Sequence, residues 1–440
     1  VCPEAHHLAS VKALDALFGV EPTPAAAKIR ELFYMAFFVT DHTTHFYALG
    51  GPDFIVGPDA PASERNILGV IRKVGLDIGK QVMECRARNH EIIKMLGGRT
   101  IHPVSAVPGG WSKPVTSGMR DEIKEAALQN IEFALYTLEV FDLIVLNNPG
   151  YMEFVTSDLY MHRTHSMGTV DAGGQVNFYG GDIRVVDPDG MEVHRYHPSA
   201  YMDHVAERVE PWTYLKFPYL KKVGWKGFVD GAESGVYMAT PLARLNVSNG
   251  MPTPRAHAEF EKMYSAFGST KIDGDRYHPV HHRMATHWAR LIELLYASEH
   301  MLELALDEEI LSPEIRNIPD FIIGEGIGSV EAPRGTLTHH YRTDDRGVLT
   351  MVNMIVGTTN NYAPMSMSIK KAAEGLINGS GLINGSGQVS EGLLNKVEMA
   401  FRLYDPCLSC ATHSVPGRMD LEVRIRNSDG KVLKTIRRTP

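Results

Sequence analysis

Asp405-Pro-Cys407-Leu-Ser-Cys410-Ala-Thr-His413 sets two thiols three positions apart with a histidine three further on. Two thiolates at that spacing can chelate one soft metal or bridge two, and the imidazole falls within the same turn. By itself the spacing serves a metal, a redox pair or a buried apolar pair equally well. A zinc ribbon needs a second Cys-x-x-Cys, which the sequence lacks. The opposite end of the chain bears on the choice. It opens Val1-Cys2-Pro-Glu-Ala-His6-His7, with Cys2 and His6 four positions apart, so that on a helix both take one face. The two ends together offer three thiols.

The remaining cysteine, Cys85, falls on an apolar helical stripe and reads as a small buried hydrophobe. Four cysteines in 440 residues are too few for a disulfide framework, and a reducing, cytoplasmic setting is expected. They are also too few for an iron–sulfur cluster in this chain. A 44% hydrophobic composition and a net charge of -8, with Lys and Arg scattered, describe a globular protein that does not bind nucleic acid. No apolar run reaches the roughly 18 residues of a membrane span. The first residues lack the charged-then-apolar order of a signal peptide, and they do not read as a natural start. A zinc hydrolase would need a His-Glu-x-x-His array, which is absent.

Helical periodicity is strong in four long segments. These are Ala25 to Leu49; a stripe from Ile67 through Ile71, Val74, Ile78 and Val82 to Cys85, stopping at Gly97-Gly98; Met119 to Leu146; and Met284 to Leu306. Strands are expected at Gln175–Tyr179 and Ile183–Val186, followed by the Asp187-Pro-Asp-Gly190 turn. Hairpins are expected at Thr336–Arg342 with Val348–Val356, and at Leu421–Arg426 with Val432–Arg437. The fold class is therefore mainly α, a large central bundle of long helices with small peripheral β hairpins. We expect one domain over 1–440, a β insertion at 165–200 and a C-terminal tail hairpin at 414–440. The direct repeat Leu376-Ile-Asn-Gly-Ser-Gly381, Leu382–Gly387, reads as a flexible loop.

With these residues in view, the chain resembles the large subunits of [NiFe] hydrogenases. Asp405-Pro-Cys407-x-x-Cys410-x-x-His413 resembles their distal cysteine motif, and the opening Cys2-Pro-Glu-Ala-His6 resembles the second half of the proximal one. His45-Phe-Tyr47 with Asp53, Gly98–Pro103, Pro108–Gly110, Glu331-Ala-Pro333-Arg334-Gly335 and Val356-Gly-Thr358-Thr-Asn360 follow in family order. Thr213–Tyr219 and the opening motif look closest to the cytoplasmic, methyl-viologen-reducing type associated with heterodisulfide reductase.

The resemblance implies a nickel–iron centre whose iron carries carbon monoxide and cyanide. Cys407 matches a terminal nickel ligand, and Cys2 and Cys410 match bridging thiolates. Pro333 and Thr358 match residues beside the iron ligands, Thr358 as a hydroxyl donor to cyanide. His6 matches an imidazole bonded to a bridging sulfur. Arg334 matches a guanidinium over the open metal position, with Asp53 and Asp405 as its carboxylate partners. His413 matches a ligand of a structural magnesium. The implied reaction is reversible heterolytic cleavage of dihydrogen. Electrons would leave through the iron–sulfur clusters of a small subunit, then through further electron-transfer subunits. Two departures stand out. The first proximal cysteine, expected three residues before Cys2, is not in the chain, for which truncation is the expected reason. The chain also continues past His413, where relatives are commonly cut, and this branch is expected to keep its tail. The other reading is a non-catalytic structural subunit descended from such an enzyme, and the retained Cys2, Cys407 and Cys410 argue against it.

Overall fold

The computed structural model describes residues 2–61, 63–379, 391–407, 421–426 and 429–438. The N-terminal segment forms α1 (Pro3–Leu17), with Cys2 at its N-cap. Next come α2 (Pro24–Thr44), α3 (Ile67–Val74), α4 (Leu76–Gly97) and α5 (Ser117–Phe141). α6 (Pro241–Val247), α7 (Pro254–Ala266) and α8 (Thr286–Leu306) follow a β-rich stretch. α9 (Gly357–Asn360), α10 (Tyr362–Gly379) and α11 (Glu391–Arg402) complete the helices named here.

Three of these helices begin on a Thr-Pro pair, at 23–24, 240–241 and 253–254. Proline fits the first helical position, where its missing N–H costs nothing. The Thr23 and Thr240 hydroxyls accept from the backbone N–H three residues on, at 3.3 and 3.4 Å. Both α2 and α8 are buried on nearly every side, and buried charges on them, such as Arg30 and Glu293, are paired. They lie side by side at the centre, with α4 against α2 and α5 against α8.

All four expected helices are present, with two changes. The Ile67–Cys85 stripe is broken at Gly75, whose φ of +96° is outside the helical range. α2 and α5 each end in a wider π-helical turn, at His45–Gly50 and Asp142–Leu146.

One sheet joins β1 (His165–Val170), β2 (Asp182–Val186), β3 (Glu192–Tyr196) and β4 (Tyr237–Met238) in the order β3-β2-β1-β4. The Asp187–Gly190 turn forms, but the strand that leaves it is β3. Gln175–Tyr179, expected as a strand, contributes only the isolated bridge Val170↔Val176. Its amides are split between local side chains, such as the Asn177 side chain accepting from Tyr179 N at 2.9 Å, and separate backbone carbonyls, such as Gly250 O accepting from Val176 N at 3.1 Å.

A second sheet, in the order β7-β6-β5, holds β5 (Glu325–Ala332), β6 (Gly335–Thr343) and β7 (Leu349–Ile355). The expected hairpin is β6–β7. β5 is the strand that sequence left out, and it packs against α1. Short hairpins pair 106–107 with 110–111 and 205–209 with 216–220. β8 (Leu421–Arg426) pairs with β9 (Val432–Arg438), as the alternation predicts. The first four residues of the direct repeat end α10, and the rest lies outside the described residues. Among the described residues no helix is long and apolar enough to cross a membrane.

Candidate metal centre

α1 begins at one face of the core and the loop after α11 returns to the same face, so Cys2 and Cys407 meet. Cys2 is 2% exposed, and its thiol lies beside that of Cys407. Cys407 stands five residues beyond α11, after a turn at Asp405 whose φ is +52°. Non-glycine residues are rare there, and such strain is held only where the surroundings fix it.

The environment of Cys407 favours its thiolate. The neighbouring Cys2 thiol, the Arg334 charge and the Thr358 hydroxyl, which donates to Sγ at 3.2 Å, bring its pKa down to about 6. Cys2, beside Cys407 and with its sulfur buried, is pushed well up. Thr358 Oγ1 also accepts from the Cys407 backbone N–H at 3.3 Å. Thr358 sits in the single turn of α9, directly after β7.

Arg334 occupies the tight turn between β5 and β6 and is 3% exposed. One Nη lies 2.8 Å from Asp405 and the other 3.1 Å from Asp41. Burial opposes its charge, but Asp405, Asp41 and the two cysteines outweigh that and hold its pKa well above the ordinary value. The expected partner Asp405 is in place. The other expected partner is corrected: Asp53 pairs with Arg402 at 2.7 Å, on the far side of the π-helical turn. Asp41 takes the position instead, because α2 presents its last turn to the β5–β6 turn.

Asp41 left a signal in the sequence. It is the single acid between Glu31 and Asp53, just after the apolar run Leu32–Val39 of its helix. An acid so placed needs a buried cation.

His6 lies one turn after Cys2, and its Nδ1 is hydrogen-bonded to Nε2 of His339 at 2.9 Å. His339 continues to the Tyr341 hydroxyl at 2.5 Å, which reaches Ser10 at 3.1 Å. The Pro333 carbonyl accepts from two buried arginines, Arg244 and Arg290. Cys410 and His413 lie outside the described residues. Cys85 is fully buried beside Asn89 and Asn130, as its apolar position implied.

Among the described residues no group of three His, Cys, Asp or Glu side chains forms a metal site, so the fit to a metal is judged on donor chemistry. Both carboxylates here are engaged by Arg334, whereas the two thiols lie side by side, with the Thr358 hydroxyl bonded to one of them. What faces inward is soft sulfur beside a cation, which suits nickel and low-spin iron and does not suit a hard oxygen-seeking ion.

A sequence profile for nickel-dependent hydrogenases matches residues 1–64 and 237–413, which include both cysteine-bearing ends. The chain is 47% identical, over 99% of its length and 87% of the relative's, to an F420-non-reducing hydrogenase iron-sulfur subunit of Archaeoglobus profundus. It is 35% identical to the NAD-reducing hydrogenase HoxS subunit beta of Cupriavidus necator, over 98% of this chain and 86% of that one. The crystal structure of an NAD+-reducing [NiFe]-hydrogenase in the H2-reduced state superimposes with a TM-score of 0.82 at 33% identity, covering 94% of this chain and 86% of that one. The meeting of the two cysteine-bearing ends and these likenesses agree: the chain belongs to the nickel-dependent hydrogenase family, as a subunit of the large type.

Proposed function

We propose that this chain is the catalytic large subunit of a [NiFe] hydrogenase, cleaving dihydrogen reversibly into protons and electrons. The observation that carries the reading is the meeting of Cys2 and Cys407 from opposite ends of the chain beside the buried fork of Arg334. Cys407 and Cys2, with Cys410, would hold the nickel and iron; when bound, that centre polarises dihydrogen and accepts its electrons.

The chain's own groups handle the proton. Cys407 Sγ, whose surroundings of Arg334 and Thr358 favour the thiolate, would take up and release the proton. The Thr358 hydroxyl stabilises the anionic sulfur. Arg334 places a fixed positive charge beside the thiols, and Asp41 and Asp405 aim it. Burial keeps bulk water out and strengthens each of these interactions.

Carbon monoxide and cyanide on the iron, a magnesium near His413 and the roles of Pro333 and His6 are parts of the same proposal, supported by the motif matches. With four cysteines in the chain, electrons would leave through iron–sulfur clusters carried by a small subunit, in a cytoplasmic complex with heterodisulfide-reductase-type partners. An infrared spectrum and a nickel and iron analysis of the anaerobically purified complex test the reading. Diatomic-ligand bands with nickel present are expected, together with dihydrogen-dependent dye reduction. A complete, matured complex lacking both bands and nickel would make the chain a structural descendant instead.

A further inference from the structure

The backbone that carries Arg334 is itself clamped by buried charges. Between Ala332, the last residue of β5, and Gly335, the first of β6, stand only Pro333 and Arg334. A strand-to-strand turn leaves its carbonyls without ladder partners, and a buried one must find them elsewhere. Here side chains donate to three successive carbonyls, those of Ala332, Pro333 and Arg334. Arg244 Nη1 donates to Ala332 O at 3.0 Å and its Nη2 to Pro333 O at 3.3 Å. Arg290 also donates to Pro333 O, at 3.2 Å, and Asn361 donates to Arg334 O at 2.8 Å.

Arg244 is saturated. Its Nε and Nη2 grip both oxygens of Glu293, at 2.6 and 2.7 Å, and its Nη1 meets Glu331 at 3.1 Å. With the two carbonyls, all five N–H donors of the guanidinium have acceptors. The side chains of Arg244, Glu293 and Glu331 are 0% exposed. The far oxygen of Glu293 is also bonded to His42 Nε2 at 2.9 Å, one residue after Asp41. A single guanidinium thus ties α6, α8, the end of β5 and the turn carrying Arg334, and reaches the Asp41 turn of α2 through Glu293.

Burying an arginine and two carboxylates gains little stability over an apolar packing of the same volume. A fixed planar fork, however, defines geometry that a hydrophobe or a lysine cannot. We infer that Arg244, held by Glu293, is a positioning residue: it fixes the Ala332–Pro333 backbone so that the Arg334 guanidinium stays aimed at the thiol pair. The inference deepens the hydrogenase reading and rests on it for its kinetic arm, while its backbone arm stands independently.

The test uses the full complex with Arg244→Lys and Glu293→Gln, the second keeping side-chain volume in case the first does not fold. In hydrogen–deuterium exchange, the amides of Arg334 to Thr336 should open about tenfold faster, with α5 peptides unchanged. kcat should fall up to about a hundredfold while KM for dihydrogen stays put, the signature of a misplaced group. Arg244→Lys combined with Arg334→Lys should be no slower than Arg334→Lys alone, because Arg244 acts through Arg334. Unchanged turn exchange in the variants that fold would overturn the inference, as would losses that multiply in the double variant or exchange that rises uniformly across the chain. A wild-type complex inactive on dihydrogen would sink the functional reading and leave the exchange result legible.

Discussion

Arg334 joins two chemistries that a single side chain rarely serves. Its charge is neutralised by Asp41 and Asp405, yet the same fork sits beside an anionic sulfur. Lysine offers one point charge and cannot span two carboxylates, so Arg334→Lys should lower kcat about a hundredfold or more, by the size of a lost preorganised donor. Steady-state dye reduction with dihydrogen measures this, and KM should move little.

Asp53 makes the contrasting case. Its partner is Arg402, so Asp53→Asn should leave kcat near wild type and lower stability by about 2 kcal/mol, read from denaturant midpoints. A kcat loss matching that of Asp41→Asn would return Asp53 to the site.

His300 bears on pH. Burial lowers its basicity, but bonds to Glu303 and Glu31 outweigh that and raise its pKa from 6.5 to about 9. Its folded value lies above its unfolded one, so its contribution is complete below 6.5 and fades as pH rises through 9. The stability gap between wild type and His300→Gln should be about 2 kcal/mol at pH 6 and close by pH 10. A gap that persists to pH 10 would show that packing, not charge, is what His300 contributes.

At the scale of elements, the distance between Cys2 and Arg334 is set by how closely α1 lies on β5. A Cβ on Gly328 would stand 2.3 Å from both Ala13 N and Ala9 O of the helix backbone, where nothing can yield. Gly328→Ala should therefore lift α1 from the sheet, at about 3 kcal/mol. It should also reduce nickel content, since Cys2 leads that helix; thermal unfolding and metal analysis read the two effects. The β5–β6 turn has its own requirement. Gly335 holds φ at +145°, and a Cβ there would lie 2.4 Å from Ala239 O. Its replacement by Ala should cost about 3 kcal/mol or more and disturb Arg334 first. The helices were legible because i, i+3 and i+4 apolar spacing is local. β5 was not, since Gly326-Ile-Gly-Ser-Val-Glu-Ala lacks the alternation of a half-buried strand.

For the whole molecule, the site is where the chain closes on itself. Cys2 and Cys407 are 405 positions apart, so a metal bound between them would tether α1 to the loop after α11. A ligand that binds only the folded state raises stability by mass action, about 4 kcal/mol at a thousandfold excess over its Kd. The metal-loaded complex should melt above the metal-free one. Cys407→Ser, matured alongside, should melt with the metal-free form. Equal melting of loaded and metal-free protein would mean that the centre does not tie the ends together.

The two cysteine-bearing ends, the four long helices, the turn at Asp187–Gly190 and, through the ordered motifs, the family were all legible in the sequence. All of these are local patterns, readable within a few turns of chain. Which acid meets Arg334, and that Arg244 is saturated by Glu293, Glu331 and two neighbouring carbonyls, came from tertiary packing. Arg334 lies 293 residues from Asp41, and Arg244 lies 49 from Glu293. A buried charge takes whichever opposite charge the packing of helices and strands delivers to it, and that choice is made by the core as a whole.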